Sequence, residues 1–383
     1  MIKSAAPLSA LSSERKTLSE KSGSRRGGTI TTLSVSVFFG IGPIHYPKTP
    51  RKDNSPMLIS RSVLLSCAAV LVCAFSVFPA WGEDGAPDGG TPTDQIRVRD
   101  PFILAEDGVY YLYIQSGNRK GSGFRGVEVR TSADLEHWSD PRPVLKLDDP
   151  GLINVWAPEV HRYNGAYYLF VTLSFKEILP GERPSENWPQ LHRRGTWCFK
   201  ADRPDGPFVP VKDGSLTPEQ WLALDGTLWV EDDTPYMVFC HEWVQVIDGT
   251  IDYMPLADDL SGATAEPQTI LRASQAPGEN HGNVTDGPFL YKSEKSSALF
   301  MLWSNFLGEG GYSVLAACSP SGRLSGPWSE SVPIYTHDGG HAMIFRDFRG
   351  ALRVALHQPN VNPQERLLIL KLVDDGKSLR LEE

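Results

Sequence analysis

An internal repeat decides what this chain can fold into. Beyond residue 96 one order of segments returns five times: an opener carrying an acidic residue, a Trp or a His, an apolar strand, a tight Gly- or Asp-containing turn, an aromatic strand and a further strand. The first copy reads Arg99-Asp100-Pro101-Phe102, a turn at Glu106-Asp107-Gly108, then Val109 to Ile114 and Val127 to Ser132. The second opens with Trp156-Ala157-Pro158-Glu159 and turns at Asn164-Gly165. The later openers are Leu224-Asp225-Gly226, Thr285-Asp286-Gly287-Pro288 and Gly340-His341-Ala342. Asp-Gly and Asn-Gly steps between β-branched and aromatic runs are hairpin turns. A period of roughly 55 to 70 residues, longer than the roughly 40 to 50 of common propeller repeats, suits four-stranded blades with loop insertions. The expected fold is all-β, a single five-bladed β-propeller with four-stranded blades over residues 96–383 and a short helix at Leu216 to Ala223. The 35 glycines and 30 prolines agree with so turn-rich a chain.

What precedes the repeats reads as processing signal. Met57-Leu58-Ile59-Ser60-Arg61 leads into an apolar run from Val63 to Phe78, then Pro79-Ala80-Trp81-Gly82. That run is short of the about 20 residues a membrane span needs, so residues 57–82 read as a secretory signal peptide. Residues 1–56, Ser- and Lys/Arg-rich without apolar periodicity, read as a non-native or disordered extension, and residues 83–95 as a linker. The expected location is secreted or periplasmic, with no membrane association after cleavage. Cys198, Cys240 and Cys318 are an odd set without metal-ligand spacing, so neither a disulfide framework nor a zinc site is expected. The net charge of -9 is carried by the body of the chain and argues against nucleic acid as a partner. Nothing in the sequence points to an oligomeric state.

In a propeller the innermost strand of each blade starts near the central channel, so the openers converge on one funnel. Asp100, Trp156 with Glu159, Asp225, Asp286 and His341 are therefore the site residues to consider. Taken singly, an Asp-Pro or Asp-Gly step is a turn in which the Asp caps its own backbone; recurrence at equivalent openers favours chemistry. Carboxylates facing one pocket repel each other, which raises at least one pKa and sets a protonated acid beside an ionised base. Inverting glycoside hydrolysis uses such a pair, roughly 6.5 to 9.5 Å apart.

Arg99-Asp100-Pro101, Trp156-Ala157-Pro158-Glu159, Asp225 and Asp286-Gly287-Pro288 together resemble glycoside hydrolase family 43, over essentially all of residues 96–383. The resemblance implies a five-bladed inverting glycosidase of the arabinofuranosidase, arabinanase, xylosidase or galactanase type acting on a carbohydrate substrate. It implies Asp100 as general base and Asp225 as the residue that raises the acid's pKa and holds it. The family's acid is a Glu in a Glu-Gly-Pro segment; here that position is Asp286, one methylene shorter, and Glu242 in Cys240-His241-Glu242-Trp243 is the alternative acid. Trp156, Phe102, Glu159, His241 and Glu242 are the expected substrate contacts, with Trp156 a flat platform for a sugar ring. His341 occupies the place where the family often holds calcium in the channel, directly or through water; no organic cofactor is implied. Insertions at Lys176 to Arg194 and Gly308 to Gly311 are expected to narrow the channel into an exo-type pocket. A secreted sugar-binding propeller that has lost catalysis is the competing function.

Overall fold

The computed structural model describes residues 89–117, 123–278 and 281–382. The expected extension, the signal peptide and the first six linker residues lie outside the described residues. Five antiparallel four-stranded sheets follow one another along the chain. Their innermost strands are Phe102–Glu106, Leu152–Tyr163, Ala223–Glu231, Asp286–Lys292 and Gly340–Arg346, and each is followed in order by the other three strands of its blade. These five inner strands contact one another in a closed ring, blade five returning to blade one. The fold is the expected five-bladed β-propeller.

The local sequence explains the hairpins. Asp107 and Gly108 both take the left-handed conformation (φ 48° and 80°), as do Asn164 and Gly165 (48° and 79°) and the Asp232-Asp233 pair (49° and 62°). Two consecutive left-handed residues make the turn whose twist matches that of the flanking strands, and Gly, Asn and Asp are the residues that tolerate it. The expected helix over 216–223 does not form. Thr217-Pro218 interrupts it; Leu216 N donates to Thr196 O and Trp221 N to Pro218 O, so the segment is a turn pinned to the third strand of blade two. A short helix appears instead at Trp243–Val246.

A second local device repeats around the ring. One residue at or near the pocket end of each inner strand is left-handed, within the strand in blade two and at or just before its start in the others: Asp100 (φ 54°), Ala157 (44°), Asp225 (56°), Gly287 (54°) and His341 (49°). In blades two to five it lies in a β-bulge, between Trp156 and Glu159, Leu224 and Thr227, Asp286 and Phe289, and Gly340 and Met343. A bulge bends the strand and re-aims the side chains around it, and here it turns them to the mouth of the channel.

Every blade takes its four strands from one stretch of the chain, so no blade is completed by a strand from the far end. Closure falls to residues 91–98. Thr91–Pro92 pairs with His137–Trp138 of blade one, while Ile96 O accepts from Leu367 N of blade five. Ile96 and Val98 are buried in the same core as Met343, Ala355 and Leu367 of blade five. Trp138, fully buried, donates from Nε1 to Thr93 Oγ1 at 2.9 Å and anchors the strap. Trp138→Ala should therefore cost about 3–5 kcal/mol of stability, the range for large aromatic deletions; urea unfolding checks this, and a loss below about 1 kcal/mol would show that the strap does not close the ring.

Candidate active site

The bulges deliver their side chains to a pocket of about 700 Å³ at the mouth of the channel, with Asp100, Trp156, Asp225, Glu242, Asp286 and His341 on its wall. Asp100 and Asp225 come from left-handed positions, which Asp tolerates better than most residues. Asp286 is not at the equivalent position. It lies one residue earlier, in register with Trp156 and Leu224, and Gly287 takes the left-handed place. Gly is required there on two counts: the φ is positive, and a Cβ would meet the His341 ring at 2.8 Å. With no side chain in the way, Gly287 N donates to Asp225 Oδ2 at 3.1 Å, tying blade four to blade three.

His341 is the hub of the cluster. Its Nδ1 stands 3.4 Å from Asp100 Oδ1 and 3.7 Å from Asp225 Oδ2, and its backbone N donates to Ser304 Oγ. Asp225 N donates to Thr172 Oγ1 at 2.8 Å and Asp100 N to His357 Nδ1 at 3.2 Å. Tyr312 Oη donates to Asp286 Oδ2 at 3.0 Å. Each acid is thus held through its backbone, its carboxylate or an adjacent amide by a neighbouring strand or blade.

Burial drives Asp225 upward, to about 8, with His341 opposing the shift and Asp286 and Asp100 adding to it. Burial raises Asp286 as well, against His341 and the Tyr312 hydroxyl. Burial alone would lower the His341 ring, but Asp100 and Asp225 overcome it and its pKa rises. The cluster therefore holds more protons near neutrality than its members would in water. Burial also pushes Glu242 up to about 7, although Arg194 Nη1 lies 2.7 Å from its Oε2.

Three expected substrate contacts stand back from the pocket. Phe102 and Glu159 share the position just past the bulge, below the wall. The Phe102 ring packs on His161 (5.2 Å) and Phe289 (6.3 Å), and the buried Glu159 carboxylate pairs with His161 Nε2 at 2.9 Å. His241 turns away as its neighbour Glu242 turns in; it stacks on Trp221 at 4.1 Å and meets Gln245 Oε1 at 2.8 Å. Trp156 lines the pocket as expected, with the Arg194 guanidinium 5.1 Å from its ring. Calcium prefers six to eight oxygen ligands. The groups about His341 do not gather such a set, and the converging ligand trio found among the described residues is the exposed Asp134, Glu136 and His137 in blade one.

The family profile described as Glycosyl hydrolases family 43 matches residues 90–375. The chain belongs to this family. A solved endo-arabinase from Bacteroides thetaiotaomicron is 34% identical, with a TM-score of 0.65, covering 76% of this chain and 99% of that one. A probable arabinan endo-1,5-alpha-L-arabinosidase A from Aspergillus flavus is 24% identical over 73% of this chain and 82% of its own length. An exo-1,5-alpha-L-arabinanase from a bovine ruminal metagenomic library shares the fold, with 21% identity, a TM-score of 0.55 and coverage of 77% and 99%.

Within this family 43 propeller, sequence reasoning passed over several pocket residues. Arg97, Arg99 and Glu365 line one side, with Glu365, 2% exposed, 3.6 Å from each guanidinium. Trp243 lines another side, its ring 5.0 Å from Trp188 of the 176–194 insertion. Arg99 alone among them sits at an opener, beside Asp100; the basic Arg97-Val98-Arg99 alternation and the Trp beside Glu242 were the only hints of the others. The insertion itself buries Leu179 and Leu191 against Leu222 and Val244, thickening the rim between blades two and three.

The charge cluster predicts a pH dependence of stability. A carboxyl raised in the fold is bound to its proton more tightly there than in the unfolded chain, so its contribution is full below the ordinary pKa of 3.8 and is lost as pH rises through about 8. Asp225→Asn removes that titration. Its melting temperature relative to the wild type should climb between pH 5 and pH 8; a difference that stays flat would show that Asp225 is not held protonated.

Proposed function

We propose that this chain hydrolyses α-1,5-linked L-arabinofuranosyl chains by single displacement with inversion. The observation that carries the chemistry is the convergence of Asp100, Asp225 and Asp286 on one pocket around His341. The substrate rests on the arabinan-cleaving relatives, above all the 34%-identical endo-arabinase. Their names favour cleavage within the chain over the exo action expected from the loops. The apolar run before residue 83 supports export to the periplasm or medium, where a polysaccharide substrate would be met.

In this reading Asp100 takes a proton from a water as its oxygen bonds to the anomeric carbon. Asp286 gives its proton to the glycosidic oxygen as that carbon–oxygen bond breaks. The proton on Asp100 then returns to Asp286 through solvent. Asp225, tied to the Gly287 amide beside Asp286, holds the acid in place, while burial and Asp100 keep the acid protonated. A pair of transfers of this kind contributes roughly 10²–10⁴-fold each. Trp156 offers its pocket-side face to a furanose ring.

Debranched arabinan and an arabino-oligosaccharide series are the substrates to test, with products followed by NMR. Asp100→Ala and Asp286→Ala should each lower kcat at least about 100-fold while circular dichroism shows the fold retained, and the first product should carry the inverted β anomer. If Asp286→Ala stays active and Glu242→Ala does not, the acid is Glu242. If the wild type cuts no arabinan, xylan or galactan but binds one of them with Asp100→Ala retaining that affinity, the chain is a sugar-binding propeller.

A further inference from the structure

Tyr312 opens the third strand of blade four, Tyr312–Ser319, and its side chain is 2% exposed. Its hydroxyl is directed at Asp286 Oδ2, 3.0 Å away. The ring has little freedom to point elsewhere. On one side lies Gly340, where a Cβ would meet Tyr312 Cε1 at 2.5 Å and Cδ1 at 2.7 Å, so the ring occupies space that only a glycine leaves. The His357 ring stacks on it at 5.8 Å with planes 23° apart, and Phe306 packs at 5.2 Å. His357 in turn accepts the backbone N–H of Asp100 on Nδ1, which leaves Nε2 as the donor to Asn360 Oδ1 at 3.2 Å. One packed stack, Asp286–Tyr312–His357–Asp100, thus joins the two residues assigned as acid and base.

We infer that Tyr312 is the positioning residue of the acid: its hydroxyl occupies Asp286 Oδ2 and so makes Oδ1 the oxygen that carries the proton to the glycosidic oxygen. This deepens the proposed function and rests on Asp286 being the acid. A tyrosine hydroxyl has a single hydrogen. While that hydrogen is given to Oδ2, a protonated Asp286 holds its own proton on Oδ1. The short Asp side chain gains from such a tether, since a misplacement of about 1 Å costs roughly 100-fold in a catalytic step.

The tether also tunes the acid. A donor to the charged form of a carboxyl favours ionisation, and here it opposes the upward push of burial. The other charged groups that act on Asp286 are Asp100 and Arg99 from the blade-one opener, Asp225 and Glu242 from blade three and His341 from blade five. Tyr312→Phe changes none of them. Burial and the neighbouring carboxylates keep the phenol itself neutral and donating across the working range.

The test is Tyr312→Phe beside Asp286→Ala, assayed on two aryl α-L-arabinofuranosides, one with a poor leaving group (phenyl) and one with a good one (2,4-dinitrophenyl), with melting temperatures for each protein. An aryl furanoside turned over by the wild type is sufficient for the comparison, and arabino-oligosaccharides with the same aglycones replace it where a longer chain is needed. Tyr312→Phe should lower kcat roughly ten- to a hundredfold on the phenyl glycoside, several-fold less on the dinitrophenyl one, and move the alkaline limb of the pH–rate profile upward. An equal loss on both substrates with an unmoved limb overturns the assignment and leaves Tyr312 a packing residue. If Tyr312→Phe fails to fold, 3-fluorotyrosine at position 312, a stronger donor, must move the limb downward, and an unmoved limb overturns the assignment equally. The underlying reading is scored separately: if Asp286→Ala shows no leaving-group dependence, Asp286 is not the acid, whereas dependence in Asp286→Ala without it in Tyr312→Phe removes only the role of Tyr312.

Discussion

The site depends on one backbone constraint, the left-handed residue at the start of each inner strand. A regular strand would send alternate side chains to the two faces of its blade and none to the axis. In blades two to five a bulge breaks that alternation at one depth, and in blade one Asp100 stands just ahead of the strand, so five places separated by scores of residues present side chains to one pocket. Positions that adopt positive φ without being Gly are strained unless their surroundings hold them. Asp100, Asp225 and His341 are held by one another and by Thr172, Ser304 and His357, so the contacts that fix the backbone are also those that assemble the charge cluster.

The cluster's electrostatics follow from that crowding. Carboxylates gathered with little water cannot all ionise, and His341 between two of them relieves the repulsion only in part. A proton left on a carboxyl is what an acid catalyst needs, so the unfavourable packing of like charges becomes the working state of the site. The offset of Asp286 by one residue belongs to the same arrangement. With Gly287 in the left-handed slot, the amide of blade four can bind Asp225 and the His341 ring can close over it.

The blades were legible because their signals are local: Asp107-Gly108 and Asn164-Gly165 dictate hairpins whatever surrounds them, and the openers recur. Five of the six pocket residues among the nine expected were legible for the same reason, and Glu242 through its place after the second strand of blade three. Phe102 and Glu159 were not, since their direction depends on the phase of the bulge, and one residue decides between pocket wall and buried channel. His241 was misplaced through its adjacency to Glu242, because successive residues point opposite ways. Tyr312, Arg194 and Glu365 reach the site from third strands and loops far along the chain. Their part depends on absences elsewhere, such as the missing side chain at Gly340, which sequence pattern does not display.

The proposed mechanism requires Asp286 and Asp100 to face the scissile bond from opposite sides. A crystal structure of Asp100→Asn with a bound arabino-oligosaccharide tests it most directly. The glycosidic oxygen should lie within hydrogen-bonding distance of Asp286 Oδ1, with a water between residue 100 and the anomeric carbon and a furanose ring against Trp156. A glycosidic oxygen placed against Glu242, or a chain bound away from the three carboxylates, would contradict it.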